Sequence, residues 1–222
     1  MAKGFSRRGR GKNVRYAARL DDLERALVVE LLTQVRELID PGGAAGVPPE
    51  RAGEPADAFD AIVAGLGSDF GARVEAGEDA DSPALGGRGF GGADRDPALD
   101  RLFPAGHRTD EEAAREFRRF TEQTLITRKL AGIDLAIAAI ESAVDDRVEL
   151  SQEKAVAVLV ALTDVRLVLG DRLGLREDRD AQRLEEIAGA ADPQDPALYA
   201  ILVYDFLTWL QETLATSMLP RG

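Results

Sequence analysis

The sequence predicts an all-α fold: a multi-helix bundle with a short N-terminal β-hairpin and a mobile Gly/Pro-rich insertion. Long stretches place apolar residues at helical spacing behind recognisable caps. Aromatic residues make up only 5% of the chain, so Ala, Leu, Val and Ile must build most of the core, which suits close helix packing better than a wide sheet. Short alternating segments separated by a Gly-rich turn occur only near the start.

In residues 3–20, Phe5, Val14, Tyr16, Ala18 and Leu20 flank Gly9-Arg10-Gly11-Lys12-Asn13. A turn of that composition between alternating segments predicts a hairpin with Phe5, Val14 and Tyr16 on one face and the arginines on the other and in the turn. The alternative is a basic arm without fixed structure. Asp21 with Glu24 forms a capping-box pattern, after which Leu23, Leu27, Leu31, Val35 and Leu38 follow at helical spacing until Pro41-Gly42-Gly43. Residues 41–55 form a Pro/Gly linker, a short amphipathic helix is expected over Asp57–Leu66, and residues 67–95 hold too few apolar anchors to offset ordering entropy. Gly87-Arg88-Gly89-Phe90-Gly91-Gly92 matches a dinucleotide fingerprint in letters alone, since no strand precedes it.

Asp96-Pro97 opens a short helix that stops before Pro104. Thr109 with Glu112 caps a long helix running from Asp110 to about Val144, with a bend expected near Gly132. Ser151 caps a helix ending at Leu173 with Gly174 behind it, a weaker helix covers Asp178–Ala188, and Asp195-Pro196 opens the last helix, Ala197 to about Leu219. The expected organisation is therefore a basic hairpin (1–20), a first helix (21–40), a linker with short helix and mobile insertion (41–95) and a helical bundle core (96–222).

Charge is split along the chain. Residues 1–19 carry seven bases (Lys3, Arg7, Arg8, Arg10, Lys12, Arg15, Arg19) and no acid, whereas the remainder holds all 40 acids. A cationic tip on an anionic body points to a tip that meets a polyanion or an acidic surface, and a body that repels nucleic acid. Lys3, Arg7, Arg8, Arg10, Lys12 and Arg15 are the candidate nucleic-acid or partner-binding residues, because guanidinium forks on a flexible backbone suit phosphate oxygens. Such contacts supply affinity rather than sequence choice. A surface arm that aids solubility is the competing explanation.

The chain has no cysteine, which excludes disulfides, thiolate metal sites and a thiol switch within it, and His107 is its single histidine. No secretory signal follows the basic start, and the longest apolar stretches, Leu130–Ile140 and Ala155–Leu162, fall short of the ~20 residues needed to span a bilayer. A cytoplasmic protein without membrane, metal or cofactor is expected.

The last helix is apolar nearly all round from Leu198 to Leu210, which predicts a central position, and Asp205 lies in its middle. A buried carboxylate needs a partner, so an interhelix polar network of Asp164, Arg166 and Asp205 is expected, Arg166 being the first choice to pair with Asp205. The other reading joins Asp164, Asp205 and Glu212 into a metal-binding or acid–base cluster. Carboxylate metal sites on bundles usually add Glu-x-x-His, which this chain lacks, so no catalytic residue is assigned.

Four segments carry a resemblance: Asp96-Pro97-Ala98-Leu99-Asp100-Arg101-Leu102-Phe103-Pro104; Glu116-Phe117-Arg118-Arg119-Phe120-Thr121-Glu122 with Arg128-Lys129; Thr163-Asp164-Val165-Arg166-Leu167-Val168-Leu169-Gly170; and Tyr204-Asp205-Phe206-Leu207-Thr208-Trp209-Leu210-Gln211-Glu212. Together with Phe5 and Tyr16 around the basic start, they resemble an actinobacterial family, long of unknown function, that includes the oxidative stress regulator AosR. The resemblance implies a non-enzymatic, transcription-associated regulator that works with a sigma factor or RNA polymerase and promoter DNA. It also implies a sensing pair of cysteines near the N-terminus, which this chain lacks. The alternative is a helical adaptor or homodimeric scaffold with no nucleic-acid binding.

Overall fold

The computed structural model describes residues 2–40, 96–104, 111–175 and 196–220. Within them the chain is mostly helical, with five α-helices and a three-stranded antiparallel sheet. The expected linker, short helix and insertion of 41–95, His107, the Thr109 cap and the helix over Asp178–Ala188 lie outside the described residues.

The hairpin forms, with one arginine, Arg7, off its expected face. Strand β1 (Lys3–Arg8) pairs antiparallel with β2 (Arg15–Arg19) around a 3-10 turn at Gly11–Asn13. Gly9 has φ +75°, and a Cβ there would lie 2.4 Å from the Asn13 carbonyl oxygen, so the turn requires glycine. A third strand, β3 (Arg147–Leu150), was not foreseen. It lies in the short stretch between two helices and pairs with the free edge of β2, in the register Tyr16–Leu150, Ala17–Glu149, Ala18–Val148 and Arg19–Arg147.

Helix α1 (Asp22–Ile39) begins at the expected capping box: the Asp21 N–H donates to Glu24 Oε2 (2.8 Å), and the Glu24 N–H donates to Asp21 Oδ1 (2.9 Å). Helix α2 (Pro97–Leu102) is capped by Asp96, and α3 (Glu111–Glu141) runs unbroken through Gly132. Ser151 caps α4 (Gln152–Arg172), which Gly174, at φ +71°, follows. Helix α5 (Pro196–Met218) closes the described chain.

The most central helix is α4, not α5. It packs against α1, α2, α3 and α5 and touches β2 and β3 as well, whereas α5 packs chiefly on α4 and β1. One cluster of buried residues runs through every element, from Phe5, Tyr16 and Leu20 to Leu207, Leu210 and Leu214. The sheet belongs to this core through its inner face, where Phe5, Tyr16, Ala18, Val148 and Leu150 are all buried.

Strand β1 sits very close to α5. The Phe5 N–H donates to Thr213 Oγ1 (3.1 Å), and a Cβ on Gly4 would fall 2.6 Å from Thr213 Cγ2. Gly4→Ala is therefore expected to destabilise the protein by about 1–3 kcal/mol through overpacking. Urea unfolding measures this; an unchanged midpoint would mean that β1 is not seated on α5.

Candidate nucleic-acid interface

The pleat of the sheet sorts the basic residues. With Tyr16, Ala18, Val148 and Leu150 pointing into the core, the residues that alternate with them along each strand point outward. Lys3, Arg19 and Arg147 lie side by side across the three strands at one end, and Arg8 opposes Arg15 at the other. A surface groove of about 590 Å³ runs over this face and is lined by Lys3, Gly4, Ser6, Arg8, Ala17, Ala18, Arg19 and Arg147. Four cations from three strands thus converge on one groove. Arg15 opposes Arg8 but lines a different groove, with Arg7, Gly11 and Glu153, and its guanidinium donates to the Val14 carbonyl (3.0 Å).

Like charges directly opposite each other weaken a sheet. Among the described residues Lys3, Arg8 and Arg19 have no ion-pair partner, and only Arg147 is neutralised, by Glu149 beside it. Asp145 and Asp146 line a second groove with Arg19 and Arg147, and they end the cationic field on the β3 side.

The six expected binding residues are thereby divided. Lys3, Arg8 and Arg15 share the outer face. Arg7 opposes Tyr16 and so belongs to the other face, where it lines a groove with Glu212 and Thr213. Arg10 is exposed in the turn, and the Lys12 side chain lies outside the described residues. Arg19 was counted in the basic tip but not chosen. Arg147 was missed because β3 was missed, although the alternation of Arg147 and Glu149 with Val148 and Leu150 is its signal. Phe5 and Tyr16 are buried, and the Tyr16 hydroxyl donates to Gln152 Oε1.

The polar network between helices differs from the expected one. Asp164 is buried at 3% exposure, but its partner is Lys129 on α3, whose ammonium donates to Asp164 Oδ1 at 2.6 Å and lies 5.9 Å from the Phe103 ring centre. Burial raises the Asp164 pKa above its ordinary carboxylate value, while the hydrogen bond and the charge of Lys129 pull it part of the way back. Arg166 donates to Gln211 Oε1 (2.6 Å) and to the Tyr204 hydroxyl (3.3 Å) and lies over the Tyr204 ring, 5.2 Å from its centre. Asp205 is exposed on the outer side of α5, which corrects the expectation that it is buried against Arg166. The excess apolar surface of α5 faces outward instead of enclosing that carboxylate: Tyr199, Leu202 and Trp209 are 52%, 56% and 36% exposed.

Asp164, Asp205 and Glu212 are therefore not brought together: the first is buried, and the other two are exposed. No group of three His, Asp or Glu residues able to hold a metal occurs among the described residues. Each of four ties between helices has at least one end in the segments that carry the resemblance. Lys129 holds Asp164, Arg166 holds Tyr204 and Gln211, Arg172 holds Asp96, and the Arg101 Nε donates to Asp171 (3.0 Å).

No helix among the described residues is long and apolar enough to cross a membrane. No curated protein and no solved structure matches the chain. A family described as a domain of unknown function, DUF2017, matches residues 2–218, taking in the strands, every described helix and the cationic face. The chain belongs to the DUF2017 family.

Proposed function

We propose that the protein is a non-enzymatic, transcription-associated regulator of the actinobacterial AosR type. It acts in the cytoplasm, contacting a sigma factor or RNA polymerase and DNA through its basic N-terminal sheet. The observation that carries this reading is the convergence of Lys3, Arg8, Arg19 and Arg147 on one outward groove of an otherwise acidic protein. A cationic field confined to one face orients the molecule toward a polyanion and keeps the acidic body away from it. A sensing disulfide has no place in it, because the chain has no cysteine. The activity would then follow the amount of protein, or a signal received by its partner.

Capture of RNA polymerase holoenzyme by the tagged protein tests this. We expect retention of polymerase or a sigma factor, lost when Lys3, Arg8 and Arg19 are replaced by Ala. Recovery of neither component would sink the reading.

A second reading, the adaptor or homodimer, is favoured by the stripe of Tyr199, Leu202, Phe206 and Trp209 along the outer side of α5, where the Phe206 and Trp209 rings lie 6.0 Å apart. Exposed aromatic residues in one patch are typical of protein contacts. A stable dimer in sedimentation, dissociated by Leu202→Glu and with no polymerase component bound, would favour it over the first.

A further inference from the structure

We infer that the outer sheet face is a sequence-indifferent binding site for duplex nucleic acid that grips the sugar–phosphate backbone and makes no use of base stacking. The inference rests on the regulator reading above and specifies the ligand of that same site.

The chemistry of the face selects the ligand. Binding of single strands relies on exposed aromatic side chains on which bases stack. The aromatic residues of this sheet, Phe5 and Tyr16, are turned inward and buried, and the groove floor is made of Gly4, Ser6 and Ala17. No Asn or Gln lines the groove to read an adenine edge. What remains outward is charge on long side chains, and that addresses phosphate oxygens.

The spacing fits a duplex. Lys3, Arg19 and Arg147 form one row across strands that lie ~4.8 Å apart. Arg8 and Arg15 form a second row four residues away along β2, about 13 Å at the usual strand rise. That separation is close to the ~12 Å width of the major groove, so the two rows can meet the phosphates on either side of it. Asp145 and Asp146 beyond β3, and the net negative body, bar the duplex from other approaches. Between the rows lie the small neutral Ser6 and Ala17 and, on β3, Glu149, whose charge Arg147 balances.

The inference makes Arg19 and Arg147 binding residues, although Arg147 belongs to a strand far from the basic tip in the chain. Fluorescence anisotropy with a labelled 20-base-pair duplex of arbitrary sequence, and with one of its single strands, tests this between 50 and 200 mM salt. About four phosphate contacts predict a slope of log affinity on log salt of roughly −3 to −4. We expect the duplex to bind at least tenfold more tightly than the single strand and two unrelated duplex sequences to bind within about threefold of each other. Arg147→Ala should lower the slope by about one and weaken binding severalfold at 50 mM salt, whereas Arg128→Ala, an exposed charge on α3, should change neither. Circular dichroism melting of the two variants shows whether both remain folded.

Equal or tighter binding of the single strand overturns the inference, as does an Arg147→Ala slope equal to that of the parent protein. A protein that ignores the duplex but still captures polymerase has an acidic protein surface as its ligand, so the inference fails and the regulator reading stands. Duplex binding with the expected slope and no capture of polymerase or sigma factor leaves the inference standing and removes the regulator reading.

Discussion

Lys129→Met is expected to destabilise the protein by about 2–4 kcal/mol at neutral pH, because it strands the buried Asp164 carboxylate without its cation. The size can be bounded from the proton. A carboxyl that cannot stay ionised will bind a proton, at a cost of about 1.36 kcal/mol per pH unit above its ordinary value. From the ordinary value of 3.8 up to pH 7 this amounts to a ceiling of about 4 kcal/mol. The pH dependence has a definite sign. The folded-state pKa of Asp164 is raised, so below pH 3.8 the group is neutral in both states and contributes nothing. Between 3.8 and the folded-state pKa the native protein holds a proton that the unfolded chain releases, and stability falls as pH rises; above that pKa the penalty is constant. Lys129 narrows this window. Its removal leaves desolvation unopposed, so the decline continues to higher pH. Urea unfolding from pH 4 to pH 8 checks this, with Asp164→Asn added to Lys129→Met to flatten the profile. A loss below about 1 kcal/mol at pH 7, or a profile parallel to that of the parent, would show the pair to be solvated.

Phe5→Ala should cost about 3–5 kcal/mol, the range for emptying a buried aromatic site. Phe5 is 6% exposed, and its backbone N–H is fixed to Thr213 on α5, so its ring and its amide hold β1 to the same helix. A two- or three-stranded sheet has little stability of its own without an apolar face against a helix. The variant should therefore lose its thermal midpoint and, before global unfolding, the slow amide exchange of β1 relative to α4. Duplex affinity should fall with it although no charge is removed, because Lys3 leaves the row it shares with Arg19 and Arg147, and Arg8 leaves its place opposite Arg15. A loss under about 1 kcal/mol, with β1 amides still protected, would make the sheet peripheral to folding.

What could be read from the sequence follows from the range of each signal. Caps are local, and the capping box at Asp21 and Glu24, the Asp96-Pro97 start and the Ser151 cap all appear where the residues place them. The hairpin could be read because its turn demands glycine at positive φ. β3 could not be read from four residues, Arg147-Val148-Glu149-Leu150, whose alternation becomes informative only once β2 offers an open edge. The candidate face suffered in consequence, because a cross-strand row is a property of register and not of any one segment. The polar network shows the same limit. A buried acid among helices was foreseen, and the buried one is Asp164, but periodicity within α5 could not say that its apolar excess faces outward and leaves Asp205 exposed. Nor does helical spacing reveal that Lys129 answers Asp164, since that depends on how α3 crosses α4.

The bond from the Phe5 amide to Thr213 joins residues 208 positions apart, and β2 finds β3 only after α3 has been made. During synthesis β1 emerges long before α5, on which it is seated. Contacts so distant in the chain close late in folding. The basic face is then an assembled surface only on a chain whose last helix has already packed. A nascent or truncated product would carry the same charges without the row, so binding at this face distinguishes the finished protein from its fragments.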